Sequence, residues 1–454
     1  YTTAHTLSLH DALPISNEWL AIGMIVAFFV LLLIGIPVAI SIAVTAFVFG
    51  YLGFGPMLFN LLPSRIYGVV TNYTFMAIPL FVFMGVMLEK SKLAEELIDV
   101  IGHLFGGLSG GMGVAIIFVG VLLGAATGIV GATIVTLGLL TLPTLLRRGY
   151  PKTLATGMIC ASGTLGQIIP PSLVLILLAE ILGESVGTMF AAAMVPGLAL
   201  AGIYIVAILV VAQLYPGMMP PIPAEERAEL SKRQLLYKVM TVVGPPVGLV
   251  FAVLGSIIGG IAAPTEAAAM GALGALVFVA CSGRLTISLL SDVAKATLVI
   301  SAMVFFILIS AQVFGLAFRG LGGEHLVERM FDWVPGGEFG ALLFMLLLMF
   351  VLGFFLEWIE ISYIALPLFL PFFIQMGVDM VWLGILVGLV LQTSFLTPPF
   401  GWSLFFLKGV APKEVTTLDI YKGALPFIGL QFLAVALVFM FPSIATWLPD
   451  AIGW

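Results

Sequence analysis

Residues Trp19 to Leu52 contain no charged side chain. That run is longer than the ~20 residues one helix needs to cross the hydrocarbon core of a bilayer. It must therefore cross, turn and cross back, and Gly35-Ile36-Pro37 marks the turn. Similar runs recur to the end of the chain, which is 61% hydrophobic and only 9% charged, with a mean hydropathy of +1.23. These values lie outside the range of soluble domains and describe an all-α polytopic membrane protein. With so few charges, the net value of −6 says little about a surface. The position of each charge matters more.

The two cysteines, Cys160 and Cys281, are far apart in apolar segments, so no disulfide framework or paired-cysteine site is available. His103 and His325 stand alone, which removes metal-ligand spacing. Residues 1–16, YTTAHTLSLHDALPIS, have neither a basic n-region nor an apolar h-region and read as a non-native leader.

From residue 17 onward the apolar runs give the organisation. A span from about Tyr73 to Leu88 ends in the charged stretch EKSKLAEELID. The glycine-rich segment 106–146 has room for two crossings or for a re-entrant hairpin, and its middle, GAATGIVGAT, favours the hairpin. A proline-broken helix over 151–180 and a span from Gly187 to Leu214 follow. The polar stretch PAEERAELSKRQLLYK then places a cytoplasmic linker at 215–241.

After the linker the pattern repeats. A shift of 228 residues pairs Pro143 with Pro371, Gly149 with Gly377, and Pro170-Pro171 with Pro398-Pro399. Slightly different shifts pair Pro37 with Pro264 and Gly85 with Gly315. A near-constant offset over several elements indicates an internal duplication. The second repeat covers 242–447, with a hairpin at 338–376 and a broken helix at 379–408, and residues 448–454 form a tail. Five crossings and one hairpin per half give the two repeats opposite orientations. With the N-terminus outside, fourteen of the seventeen Lys and Arg residues fall on the cytoplasmic side and only Arg65, Arg319 and Arg329 outside. Both termini are then expected to be periplasmic.

Inverted repeats with broken helices build one central site from two half-sites in many secondary transporters. Pro170 and Pro171 have no N–H for the carbonyls of Gly166 and Gln167, and Pro398 and Pro399 withhold theirs from Ser394 and Phe395. In hydrocarbon a bare carbonyl costs several kcal/mol unless it lines a cavity or meets an ion. These oxygens suit Na⁺. The N-terminus of each following half-helix carries a positive dipole end that suits a carboxylate. A proline kink alone is an ordinary packing feature, and the glycines from Thr127 to Thr133 also serve close helix packing.

Glu357 and Glu360 stand alone as charges between Phe339 and Met376, at the tip of the second hairpin. Ionisable groups at that depth are functional candidates. The alternative is that one of them points into water at the wide end of a cavity, Glu360 before Glu357. Glu266, in IAAPTEAAAMGA, reads as an N-terminal cap, and Arg319 as the mark of a helix end rather than a partner for a substrate carboxylate.

The stretches GTLGQIIPPS, IAAPTEAAAMGALGAL and LQTSFLTPPFG, with LEWIEISYIALPLFLP, resemble the large membrane subunit of tripartite ATP-independent periplasmic (TRAP) transporters over residues 17–447. The resemblance implies an elevator-type member of the ion transporter superfamily, with scaffold and transport domains, in a bacterial cytoplasmic membrane. It implies Na⁺-coupled uptake of an organic acid handed over by a periplasmic substrate-binding protein, beside a small TRAP membrane subunit. Na⁺ is the coupling ion; no other metal or cofactor and no nucleic acid is expected. Many family members carry Asp where Glu357 stands, so the substrate subgroup stays open. Carried over by resemblance, the site falls at both hairpin tips and both breaks. Substrate contacts are expected from Thr127, Gly128, Ser172, Glu357, Glu360, Ser394 and Thr397. Na⁺ contacts are expected from Gly131, Thr133, Gly163, Gly166, Gln167, Pro170, Thr393, Ser394 and Pro398.

Other classes fit less well. No Gly-Lys-Ser or Gly-Lys-Thr occurs, which argues against direct use of ATP. No Ser/His, HExxH or paired-aspartate arrangement lies in the spans, which argues against an intramembrane enzyme. A self-contained Na⁺/carboxylate symporter and a passive channel remain as alternatives.

Overall fold

A computed structural model describes residues 17–228 and 231–454, which are helical throughout, with no strand among them. The leader expected at 1–16 lies outside the described residues. Eight described helices are long and apolar enough to cross a membrane. The cause is general: an apolar segment without water must satisfy its own backbone N–H and C=O groups, and a helix does so within one segment.

Breaks fall where turn residues stand. Asn17–Leu33 ends before Gly35, whose φ of +93° suits a residue without Cβ, and Val38–Phe54 starts after Pro37. The glycine-rich segment forms two helices, Gly111–Thr127 and Val130–Arg147, separated by Gly128 at φ +61°.

Helix boundaries recur at the offset seen in the sequence. A shift of 228 residues carries Val130–Arg147 onto Trp358–Gln375 and the start of Lys152–Thr164 onto the start of Met380–Leu396. One element departs from the pattern. Met57–Val70 and Tyr73–Lys90 are separate, whereas their counterpart is a single helix, Ile287–Gly320. In the first half the polar pair Thr71-Asn72 ends the helix, and the Thr71 hydroxyl donates to the Tyr67 carbonyl at 2.7 Å. Apolar Val299-Ile300 occupies the matching place.

The chain divides into two compact units, one of residues up to Asn72 with Ala302–Leu348 and Leu356–Val378, the other of Tyr73–Ser301, Met349–Phe355 and Asp379–Trp454. The first is held by aromatic and glycine contacts. Phe28 meets Phe314 edge-on at 6.0 Å, and Phe331, on the amphipathic helix Gly323–Asp332, stacks on Phe372 at 4.2 Å. Gly53 lies against Leu321 and Gly320 against Phe54, each without room for a β-carbon.

Small residues bring helices together in the second unit. A Cβ on Gly157 would fall 2.1 Å from the Gly423 carbonyl oxygen, and one on Gly423 would fall 2.0 Å from that of Thr153. Lys152–Thr164 and Thr417–Met440 therefore touch backbone to backbone, the close approach that drives helix association where burying apolar surface gains nothing.

Helical structure also extends into the segment read as a linker. Ser231 and Gln234 form a capping box that starts a helix running on without a break from Lys232 to Ile258. A last helix, Ser443–Ile452, runs into the tail, and the Trp454 ring covers Gly187.

Candidate functional site

Both diproline positions interrupt their helices. Lys152–Thr164 tightens into a 3₁₀ turn, Leu165–Gln167, loses helical form through Ser172, and resumes as Leu173–Leu182. Met380–Leu396 stops at Thr397 and resumes as Trp402–Val410. The Pro170–Pro171 and Pro398–Pro399 peptide bonds are both cis.

The carbonyls expected to be bare are largely capped. Ser172 Oγ donates to the Gln167 carbonyl at 2.5 Å, and Ser403 Oγ donates to the Phe395 carbonyl at 2.7 Å. The Ser394 carbonyl accepts the Thr397 N–H at 3.1 Å. A serine on the chain beyond each break thus turns back to replace the N–H that proline lacks. Each capped carbonyl keeps its second lone pair, so it can still face a cation, but as one ligand among several.

Because the Ser172 hydroxyl points back to Gln167, it does not cap its own helix, and neither half-helix start has a side-chain cap. Their first-turn N–H groups stay open to an anion.

Glycines press the first hairpin onto the breaks. A Cβ on Gly124 would fall 2.6 Å from the Gly166 Cα, and one on Gly163 would fall 2.2 Å from Ile134 Cγ1. Gly128 faces the start of the Leu173–Leu182 helix, and Gly131 faces the Phe406 ring on the half-helix Trp402–Val410. The first hairpin therefore touches both broken helices. Gly353, at the end of the Gly337–Leu352 helix, sits against Ser394 as Gly124 sits against Gly166.

Of the expected hydroxyl ligands, Thr133, Thr393, Ser394 and Thr397 each donate to a backbone carbonyl three or four residues earlier. For Thr393, Ser394 and Thr397 the donor is spent there, which leaves the oxygen lone pairs for another partner. Pro170 is buried and Pro398 half-buried at the breaks. The side chain of Thr127 lies outside what is described; its backbone ends the first arm.

Glu357 and Glu360 belong to the first unit. Glu357 stands before the short helix Trp358–Glu360 without a side-chain cap bond. Glu360 is 2% exposed, and among the described residues neither its Oε2 nor the nearby Ser362 hydroxyl has a partner. Glu360 is therefore the inward acid and Glu357 the more open one, the reverse of the order expected from sequence. Glu266 accepts the Ala263 N–H at 2.9 Å, as its capping role required. Arg319 closes its helix with Glu324 3.6 Å away.

Gln167 was expected from the sequence, whereas two other buried amides, Gln392 and Gln431, were missed. Gln167 and Gln392 are 1% and 0% exposed, and neither amide atom of either residue has a partner among the described residues. Gln431 donates to Thr164 Oγ1 at 3.4 Å, while its Oε1 is unpartnered. Leaving such groups unbonded costs ~1–3 kcal/mol each, so their burial beside the breaks calls for a polar ligand. A glutamine inside the apolar run GLQFLAVALVFM was the available signal.

Comparison with known proteins gives consistent results. The family model described as "Tripartite ATP-independent periplasmic transporter, DctM component" matches residues 25–444. The C4-dicarboxylate TRAP transporter large permease protein DctM of Vibrio cholerae is 27% identical, with 92% of this chain and 95% of that protein covered. The ectoine TRAP transporter large permease protein TeaC of Halomonas elongata is 28% identical over 94% and 98%. The sialic acid TRAP transporter large permease protein SiaM of Vibrio cholerae is 27% identical over 94% and 98%. The solved structure of the YdaH transporter of Alcanivorax borkumensis shares the fold, with a TM-score of 0.62 at 13% identity, covering 96% of this chain and 99% of that one.

Proposed function

The chain belongs to the DctM component family of tripartite ATP-independent periplasmic transporters, and from that premise we propose that it is a large permease subunit coupling Na⁺ entry to organic-acid uptake. The single observation that carries the coupling is the matched pair of helix breaks, each lined by oxygen atoms whose donors are already spent.

Na⁺ is held by oxygen ligands at the unwound backbone, where the C-terminal ends of Lys152–Thr164 and Met380–Leu396 add negative dipole ends. Gln167, Gln392, Thr393 and Ser394 supply side-chain oxygens there. The uncapped starts of Leu173–Leu182 and Trp402–Val410 attract the substrate carboxylate. Glu357 and Glu360 contribute acidic groups from the second hairpin. The repeats are inverted, the hairpins re-entrant, and the transport domain carries the site across the membrane by an elevator motion. Relatives named for C4-dicarboxylates, ectoine and sialic acid support an organic-acid substrate. A small membrane subunit and a periplasmic binding protein complete the system.

Reconstitution into liposomes with both partners tests this reading. Accumulation of an organic acid driven by an inward Na⁺ gradient, and abolished when the gradient is collapsed, is the expected result. Equal accumulation without Na⁺ would refute the coupling. Uptake by this chain alone would instead establish a self-contained symporter.

A further inference from the structure

The first unit contains three basic side chains among its Lys and Arg positions, Arg65, Arg319 and Arg329. Arg329 is paired with Glu18 at 2.6 Å. The other two line one cavity of about 230 Å³ inside that unit, together with Gln312, Phe54, Leu61 and Tyr363.

Both arginines are exposed, and neither has a close acidic partner among the described residues. Arg65, on Met57–Val70, has no ion pair with any described residue. Arg319 has only Glu324, 3.6 Å from its Nε, beyond the 2.7–2.9 Å of a charge-assisted hydrogen bond. Two arginines lining one space give it a positive potential that favours an anion there. Their planar donor forks match a carboxylate. The apolar wall of Phe54 and Leu61 suits a carbon skeleton behind that group. The space equals that of roughly seven or eight waters, which fits a small organic acid. Tyr363, which also lines the cavity, follows Glu360 on the second hairpin's returning arm, so the cavity adjoins the residues already assigned to substrate.

We propose that Arg65 and Arg319 form a carboxylate-binding site for a small organic acid in transit. This rests on the permease reading above and adds to it an anion site built within the first unit.

Binding of radiolabelled succinate to the purified chain in detergent, with sulfate as competitor, tests the proposal. Saturable binding displaced by sulfate is expected. Arg65→Gln and Arg319→Gln should each weaken it at least tenfold, Arg65→Lys less, and Arg329→Gln not at all. Size-exclusion profiles identify any variant that fails to fold, and the Arg65→Lys variant then carries the comparison. No saturable binding by the wild type, or wild-type affinity in both glutamine variants, overturns the site. So does a phospholipid held by the wild type and lost from both variants in mass spectrometry, which assigns the cavity to a headgroup. Na⁺-independent uptake that still needs both arginines would refute the coupling and leave the site standing. Na⁺-driven uptake indifferent to them would do the opposite.

Discussion

Gly124 approaches Gly166 so closely that a β-carbon on Gly124 would lie 2.6 Å from the Gly166 Cα. The first hairpin is thereby pressed backbone to backbone onto the turn that precedes the first diproline. At the equivalent place an added Cβ on Gly353 would lie 2.0 Å from Ser394 Oγ and 2.6 Å from Ser394 Cβ, with no backbone atom closer than 3.4 Å. Backbone cannot move aside as a hydroxyl can, so the two contacts differ in tolerance.

Gly124→Ala is therefore expected to destabilise the protein by about 1–3 kcal/mol, the usual cost of overpacking, and to lower uptake. Gly353→Ala should cost less. Thermal unfolding in detergent ranks the two, and an equal loss would show that the first contact has more slack than its geometry indicates.

The buried amides predict opposite effects on stability and function. Gln392→Leu removes an unpartnered group, so the ligand-free protein should gain about 1–3 kcal/mol, while uptake falls at least tenfold. Na⁺ should raise the melting temperature of the wild type by mass action and leave that of Gln392→Leu nearly unchanged. A variant that still responds to Na⁺ as the wild type does would remove Gln392 from the cation site.

Glu357 and Glu266 separate a transport role from a capping role. Glu357→Gln should cut uptake at least tenfold without lowering the melting temperature. Glu266→Gln keeps an oxygen that can accept the Ala263 N–H and loses only the negative charge at the helix N-terminus, so it should cost about 0.3–1 kcal/mol of stability with uptake retained. Measuring initial uptake rate and melting temperature on the same preparations decides it; matched losses of uptake would place the acidic role elsewhere.

Tyr150 predicts a pH effect at the alkaline end. Burial pushes its hydroxyl from the ordinary 10.0 up to about 12, and it faces the Pro220 carbonyl at 3.5 Å. The folded state holds this proton more tightly than the unfolded chain. The stabilisation is thus complete below pH 10 and is lost as pH rises towards 12. Tyr150→Phe should flatten the decline of melting temperature in that window. Identical slopes for the two proteins would count against the buried hydroxyl.

Covalent chemistry and composition determined much of this protein at the level of sequence. Uncharged runs force helices, Gly35 and Gly128 permit the turns, and proline pairs break helices because they lack an N–H. The constant spacing of those breaks exposed the duplicated order of helices. Glu266 announced its cap because the capping partner lies three residues away. Each of these features is local, or repeats along the chain.

Tertiary structure decided what depends on neighbours distant in sequence. Proline arithmetic left the Gln167 and Phe395 carbonyls bare, yet Ser172 and Ser403 return across the breaks to cap them. Periodicity could not rank Glu360 as the buried acid, nor show that Gln167 and Gln392 keep their amides unbonded. Nor could it bring Arg65 and Arg319 to one cavity. Burial and hydrogen-bond satisfaction belong to the packed ensemble of helices, and a residue's own neighbours in the chain do not fix them.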